Sequence, residues 1–446
     1  MAVAAALLGW IIEAFDFFVV PLALPDIAQS FNQSHAAIAA TLTVALALRP
    51  AGAWVFGLLA DRWGRKPALF WNLMLSALAE VGAGFAPDFA TFIFFRALFG
   101  LAMGGEWGVS AALAMESAPA RFRGLVSGVL QTGFSTGYFL AAGSYLLFVP
   151  AWHRLFEGVP FWGEGWRLLF WIGGSSAFLA LLVRRRVPET LFLAESLPPL
   201  PLILPPRRRL LWFLALALAL AMVLVFFSPS SLPPWSLAWV FPLVLFFLFL
   251  AASTWKLIEG RRSLFFYFVC LIACLGGAAH GSKDVTPTFL RADLHFTGQE
   301  AALVSMVASL GSLVGGPLFG ALAASWGCVR AIALALALCL PAIPLWLGGG
   351  HVAWTALGMG WIEAAVAGAW AVMPLYYALK LPPRVRGLLS GLSYQVGILL
   401  ASFVPWAQMH LGQKFSYAPV LAATMVAVVM LGILIVFGEK RIAGTG

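Results

Sequence analysis

GLLADRWGRK, from Gly57 to Lys66, lies between two long apolar runs, and its first part returns 263 residues later as GALAASWG from Gly320. At the same offset, RFRGLVSG from Arg121 returns as RVRGLLSG from Arg384, and GEWGV from Gly105 returns as GAWAV from Gly368. Three matches at one spacing mark a duplicated chain, since weak internal symmetry of this kind is what a two-repeat membrane protein leaves in its sequence. The halves fall at 1–190 and 263–446, and 191–262 has no counterpart.

Outward from that loop the chain is a series of apolar runs of about 20 residues, the length a helix needs to cross roughly 30 Å of hydrocarbon. Of its 446 residues 62% are hydrophobic and 10% charged, far too few polar groups to cover a soluble surface. The runs do not alternate polar and apolar as barrel strands would, so each span is a helix that satisfies its own backbone. Fourteen spans are expected: six in each half, the ninth at 263–290, and an inserted pair at 210–228 and 236–255. The proline-rich stretch from Val187 to Pro206, flanked by arginine triplets, reads as an extended central linker. The first span begins almost at Met1 without a small-residue cleavage site and reads as a retained helix. The four cysteines fall in or beside apolar spans and read as small hydrophobes rather than disulfides.

The net charge of +9 belongs to short loops rather than to a nucleic-acid stripe. With the N-terminus inside, 20 of the 27 basic residues fall in cytoplasmic segments, as the positive-inside rule demands. Both termini are therefore expected in the cytoplasm, with the chain in the plasma (inner) membrane and acting as a monomer.

Charges inside the bilayer are costly and mark function by default. They are Glu13 and Asp16 in the first span, Arg49 in the second, Arg96 and Glu106 in the fourth, and His280, Lys283 and Asp284 in the ninth, with Glu80 and Glu363 read equally as structural. Gly276, His280, Asp284 and Thr288 are spaced by four and share one helical face. A histidine one turn from a carboxylate can exchange protons near neutral pH. Arg49 sits near the middle of its span, where a guanidinium fork suits a carboxylate; the bland alternative is a permanent ion pair with Glu13, Asp16 or Glu106. Asp61, Arg62, Arg65 and Lys66, joined by Glu116 and Arg123, form a candidate cytoplasmic gate of charges that break and reform as the halves rock. Gly100, Gly104 and Gly108 read as packing residues.

Six spans plus six in parallel orientation is the plan of the major facilitator superfamily, and GLLADRWGRK resembles that superfamily's signature between its second and third helices. GWIIEAFDFF, ALRPAGAWVFG, RALFGLAMGGEWG and RGLVSGVLQTG are similar, more narrowly, to the lactate permeases of the sialate and monocarboxylate proton-symporter branch. AHGSKDVTPTFL, from Ala279 to Leu290, resembles that family's Asn-x-x-Ser/Thr-His-x-Ser/Thr-Gln-Asp-x-x-x-Thr signature. The resemblance implies roles for His280, Ser282, Asp284 and Thr288 in substrate and proton handling, for Arg49 as an anion ligand and for Gln395 as a polar pocket residue. Gly276, Ala279 and Lys283 depart from the signature, standing where it has asparagine, serine or threonine, and glutamine. Ile398 stands where lactate permeases carry asparagine.

The expected function is proton-coupled symport of a small monocarboxylate such as lactate or pyruvate. The proton is the coupling ion, and no metal or organic cofactor is required. Alternatives are a larger organic acid such as a sialate, or a drug/proton exporter, whose cationic cargo Arg49 disfavours. No nucleophile–base set, metal cluster or phosphate loop points to an enzyme.

Overall fold

A computed structural model describes residues 1–159, 161–190, 261–348 and 350–439, and these contain helices and turns but no strand. The inserted pair and most of the central linker lie outside the described residues. The first stretch holds α1 (Ala2–Leu22), α2 (Leu24–Ser30), α3 (His35–Trp63), α4 (Arg65–Gly84), α5 (Phe89–Ser117), α6 (Arg123–Leu155), α7 (Trp166–Gly173) and α8 (Ser176–Arg186). The second holds α9 (Arg262–Lys283), α10 (Thr286–Ala292), α11 (Gly298–Trp326), α12 (Cys328–Gly348) and α13 (Val352–Ala371). It continues with α14 (Met373–Lys380), α15 (Pro383–Ala401), α16 (Phe403–Phe415) and α17 (Tyr417–Phe437). Among the described residues, 11 helical spans are long and apolar enough to cross a membrane. The remaining expected span is α4, whose Asn72 and Glu80 lower its hydropathy.

The last glycine of each quoted stretch explains why both copies keep it. Gly64 ends α3 at φ 109° and Gly327 ends α11 at φ 88°, backbone that a residue with a Cβ adopts only under strain. The chain reverses there in one residue. At the other ends, Ser34 caps α3 by accepting from the Ala37 amide at 3.1 Å. Thr297 and Glu300 form a reciprocal capping box on α11.

The duplication is equally visible in packing. A Cβ on Gly52 would lie 1.8 Å from the Leu101 carbonyl oxygen, and one on Gly315 would lie 1.9 Å from that of Ala364, the same pair 263 residues on. Gly105 against Phe56 and Gly368 against Phe319 repeat in the same way, at 2.5 and 2.3 Å. Lipid supplies no hydrophobic drive between helices, so close backbone approach through small residues carries the association. Gly100 on Ala45 and Gly104 on Arg49 seat α5 against α3, the packing role expected of that glycine row.

Several expected single spans are interrupted. The ninth breaks between α9 and α10, because Pro287 has no N–H for the Lys283 carbonyl. The span at 353–378 breaks before Pro374, and the one at 167–183 at Gly174 and Ser175. Thr288 therefore lies beyond an interruption, and the four-residue face running from Gly276 is not one continuous helix.

The described chain forms two compact units. The first comprises Met1–Ser110, 136–190 and Pro383–Gly391; the second comprises Ala111–Ser135, 261–382 and 392–439. The start of α15 thus packs with the first unit and the start of α6 with the second. The first unit has an aromatic core in which Phe31, Phe92, Trp166 and Phe170 meet edge-on or tilted. All four cysteines are free thiols.

Candidate functional site

In the first unit, Arg49 is 7% exposed and its Nε is buried without a hydrogen-bond partner. Pro50 follows it inside α3, and Gly104 lets α5 lie directly on its carbonyl. Among the described residues Arg49 makes no ion pair, which sets aside the permanent pairing with Glu13, Asp16 or Glu106. Arg49 does lie within electrostatic reach of Glu13, which also interacts with Glu106 and Asp16. Both Glu13 oxygens are buried without hydrogen-bond partners, and Glu106 accepts from the Ser110 hydroxyl at 2.5 Å. Gly9 makes room for Glu106, since a Cβ there would meet its Oε1 at 2.5 Å. A cavity with space for about one water lies between them, lined by Gly9, Glu13, Asn72, Ser76, Glu106 and Ser176.

Arg96 and Glu80, both fully buried, pair at 2.8 Å, with the guanidinium 4.3 Å from the centre of the Phe99 ring. Glu80 is therefore a structural partner. Asp16 faces this pair electrostatically, yet neither of its oxygens has a hydrogen-bond partner.

In the second unit, His280 Nδ1 lies 3.1 Å from Asp284 Oδ2, so the expected pair is assembled, with side chains 41% and 47% exposed. Ser282 does not join it. Its hydroxyl is buried and donates to Glu363 Oε1 at 2.7 Å. Thr288 is half-buried on α10, and Gln395 is buried on α15. Two departures from the family pattern meet each other: a Cβ on Gly276 would lie 3.1 Å from Ile398 Cδ1 and 2.7 Å from Ala401 Cβ. An asparagine side chain does not fit at 276 against this wall, so the two residues form one apolar contact.

Sequence reasoning left Glu363 undecided and missed its partners. Glu363 is fully buried and gathers Ser282, Ser312 at 3.1 Å and Lys283 at 2.6 Å. A signal existed, because Ser312 stands 263 residues after Arg49.

The loop charges also resolve. Asp61 pairs with Arg65 and accepts from the Gly387 and Leu388 amides at 2.9 and 2.8 Å, in the first turns of α15. Arg65 also donates to the Pro383 carbonyl. The N-terminal end of a helix attracts a carboxylate, as the helix dipole dictates. Arg62 is exposed and Lys66 half-buried, and neither side chain has a partner among the described residues. Glu116 and Arg123 lie in the second unit, where Arg123 Nε donates to the Ala118 carbonyl at 3.1 Å. An unforeseen acid, Glu189, accepts from the amides of Arg65 and Lys66 at 2.9 and 3.1 Å and so caps α4. In the second repeat, Ala324 stands where Asp61 does and only packs on Gly124, without a charge.

Residues 1–196 match the family model described as "Sugar (and other) transporter". A solved structure, that of "the MFS (major facilitator superfamily) proton:xylose symporter XylE", superposes at a TM-score of 0.67 and 17% identity, covering 99% of this chain and 94% of that one. The chain shares the fold of that symporter, and its first 196 residues match the transporter family. It is 26% identical over 91% of its length to the "Carboxylic acid transporter protein homolog" of Saccharomyces cerevisiae. It is 31% identical over 42% of its length to the "Sialic acid transporter NanX" of Escherichia coli. The matches span 60% of the first relative and 44% of the second. These relatives and the structural neighbour are membrane transporters rather than enzymes.

Proposed function

We propose that the protein is a proton-coupled symporter of a small monocarboxylate such as lactate or pyruvate, working by alternating access in the inner membrane as a monomer with both termini in the cytoplasm. The observation that carries this reading is Arg49, a buried guanidinium without an ion-pair partner among the described residues. Its planar fork offers two parallel charge-assisted hydrogen bonds to a carboxylate, and its buried Nε has no hydrogen-bond partner. The carboxylic-acid relative points the same way. Asp61 and Arg65, with Arg62 and Lys66, form the cytoplasmic gate. Gln395 and Thr288 contribute polar groups to the pocket. The deciding experiment is uptake of a labelled acid panel into liposomes, with and without an imposed pH gradient. A larger organic acid, a sialate included, is the second reading, favoured by the likeness to the sialic acid transporter, and the same panel separates the two.

His280 and Asp284 admit the proton. They are paired, 41% and 47% exposed and one turn apart, so a proton can pass between them without a conformational change. Asp284→Asn is expected to abolish accumulation driven by a pH gradient while leaving part of the anion exchange. If Asp284→Asn and His280→Ala both keep full accumulation, the proton enters elsewhere, with Glu13, Asp16 and Glu106 next in line.

A further inference from the structure

We propose that Lys283 and Glu363 form an exchange switch: the Lys283 ammonium holds either the Glu363 carboxylate or, before it passes to Arg49, the carboxylate of an arriving anion, and the proton that Glu363 takes up in the second case is the one carried with that anion. The inference rests on the symport reading above and names where its two fluxes meet.

The pair is asymmetric in the way such a switch needs. Lys283 Nζ contacts Glu363 Oε2 at 2.6 Å, with the lysine side chain 42% exposed and the glutamate 1% exposed. The cation is open on one side, and the acid is enclosed by α9, α11 and α13. An ammonium is a compact charge with three donors, so it can receive a second carboxylate without leaving its place. An anion arriving there puts two carboxylates against one ammonium in a poorly solvated site. Like charges so placed are strongly disfavoured, and one proton restores neutrality. Anion binding and proton uptake therefore favour each other by the same factor, as linkage requires.

The surrounding hydroxyls can follow the change. Ser282 Oγ donates to Glu363 Oε1 at 2.7 Å and has the Ala279 carbonyl at 3.1 Å as an alternative acceptor. Ser312 Oγ donates to Oε2 at 3.1 Å and has the Ala308 carbonyl at 3.5 Å. When Glu363 carries a proton it becomes a donor. One serine then turns to its backbone carbonyl and accepts, so no buried polar group is left unpaired. Facing Glu363 are Lys283 and Ser282 from α9 and Ser312 from α11. The Cys339 thiol of α12 is within electrostatic reach, and His280 stands three residues before Lys283 with Asp284 directly after it.

The balance is one proton per monocarboxylate. Glu363 carboxylate becomes carboxylic acid as the anion pairs with Lys283. On release, the acid gives up its proton and the original ion pair re-forms.

The test uses the purified full-length protein in weakly buffered detergent solution with a pH indicator, adding lactate, pyruvate and the other panel acids in turn. The parent should take up about one proton per anion bound. Glu363→Gln, which keeps side-chain size and both serine contacts, should bind the anion with no proton uptake. In liposomes it should exchange labelled anion but lose gradient-driven accumulation. Should that variant fail to fold, Lys283→Gln takes its place, because without the cation adding anion no longer changes the protonation of the acid. Parent-like proton uptake in either folded variant overturns the switch while leaving the symport reading intact. A parent protein that moves no acid of the panel overturns the symport reading and the switch with it.

Discussion

Arg49→Gln is expected to raise the apparent affinity constant for the transported anion about 100-fold, and Arg49→Lys about tenfold. The guanidinium is buried in α3 with its Nε unused, beside Glu13 and, among the described residues, without an ion pair. A bidentate pair to a carboxylate replaces water with two charge-assisted hydrogen bonds, together worth about 3 kcal/mol, and each 1.4 kcal/mol is about a factor of ten. Glutamine keeps a donor and loses the charge. Lysine keeps the charge and loses the fork, which places its expected effect between glutamine and the parent. The measurement is concentration-dependent uptake of the best panel acid into liposomes. Parent-like affinity in Arg49→Gln would remove Arg49 from the substrate site.

Asp61→Asn is expected to change the ratio of gate-closed to gate-open protein about 10- to 100-fold toward open. The Asp61 carboxylate accepts from the Gly387 and Leu388 amides and pairs with Arg65, which also reaches the Pro383 carbonyl. Asparagine presents one acceptor where the carboxylate presented two and removes the negative charge that Arg65 pairs with. A loss of about 1.5–3 kcal/mol confined to one state converts directly into that population shift. Ala324 at the repeat position has no charge to lose, so Ala324→Ser should leave the ratio unchanged. Spin labels on the ends of α3 and α15 report the separation, and an unchanged distance distribution in Asp61→Asn would take Asp61 out of the gate.

The candidate site was legible in part. Arg49, Glu13, Asp16 and Glu106 were visible as charges in apolar runs, because the bilayer makes any such residue conspicuous. The His280–Asp284 pair was legible because four residues are one turn, a purely local relation. Glu363 was seen as a charge, but its role was not: Ser282 and Ser312 lie 81 and 51 residues away, and only helix packing brings them to it. Lys283 pairs with Glu363, and Ser282 leaves the family-implied site for the same acid. Both are consequences of where α13 lies against α9.

The chain by itself determined the helical class, the duplication and its offset, and the glycines at 64 and 327. Each of these follows from hydropathy, from repetition or from one residue's backbone. Tertiary structure alone decided which charges are partnered. Arg96 found Glu80, Lys283 found Glu363, Asp61 found two amides more than 320 residues away, and Arg49 has no ion pair among the described residues. The physical reason is range. Apolarity and backbone conformation act on the segment that carries them, whereas a buried charge is settled by whichever group comes within about 3 Å, and in a bundle that group sits on another helix.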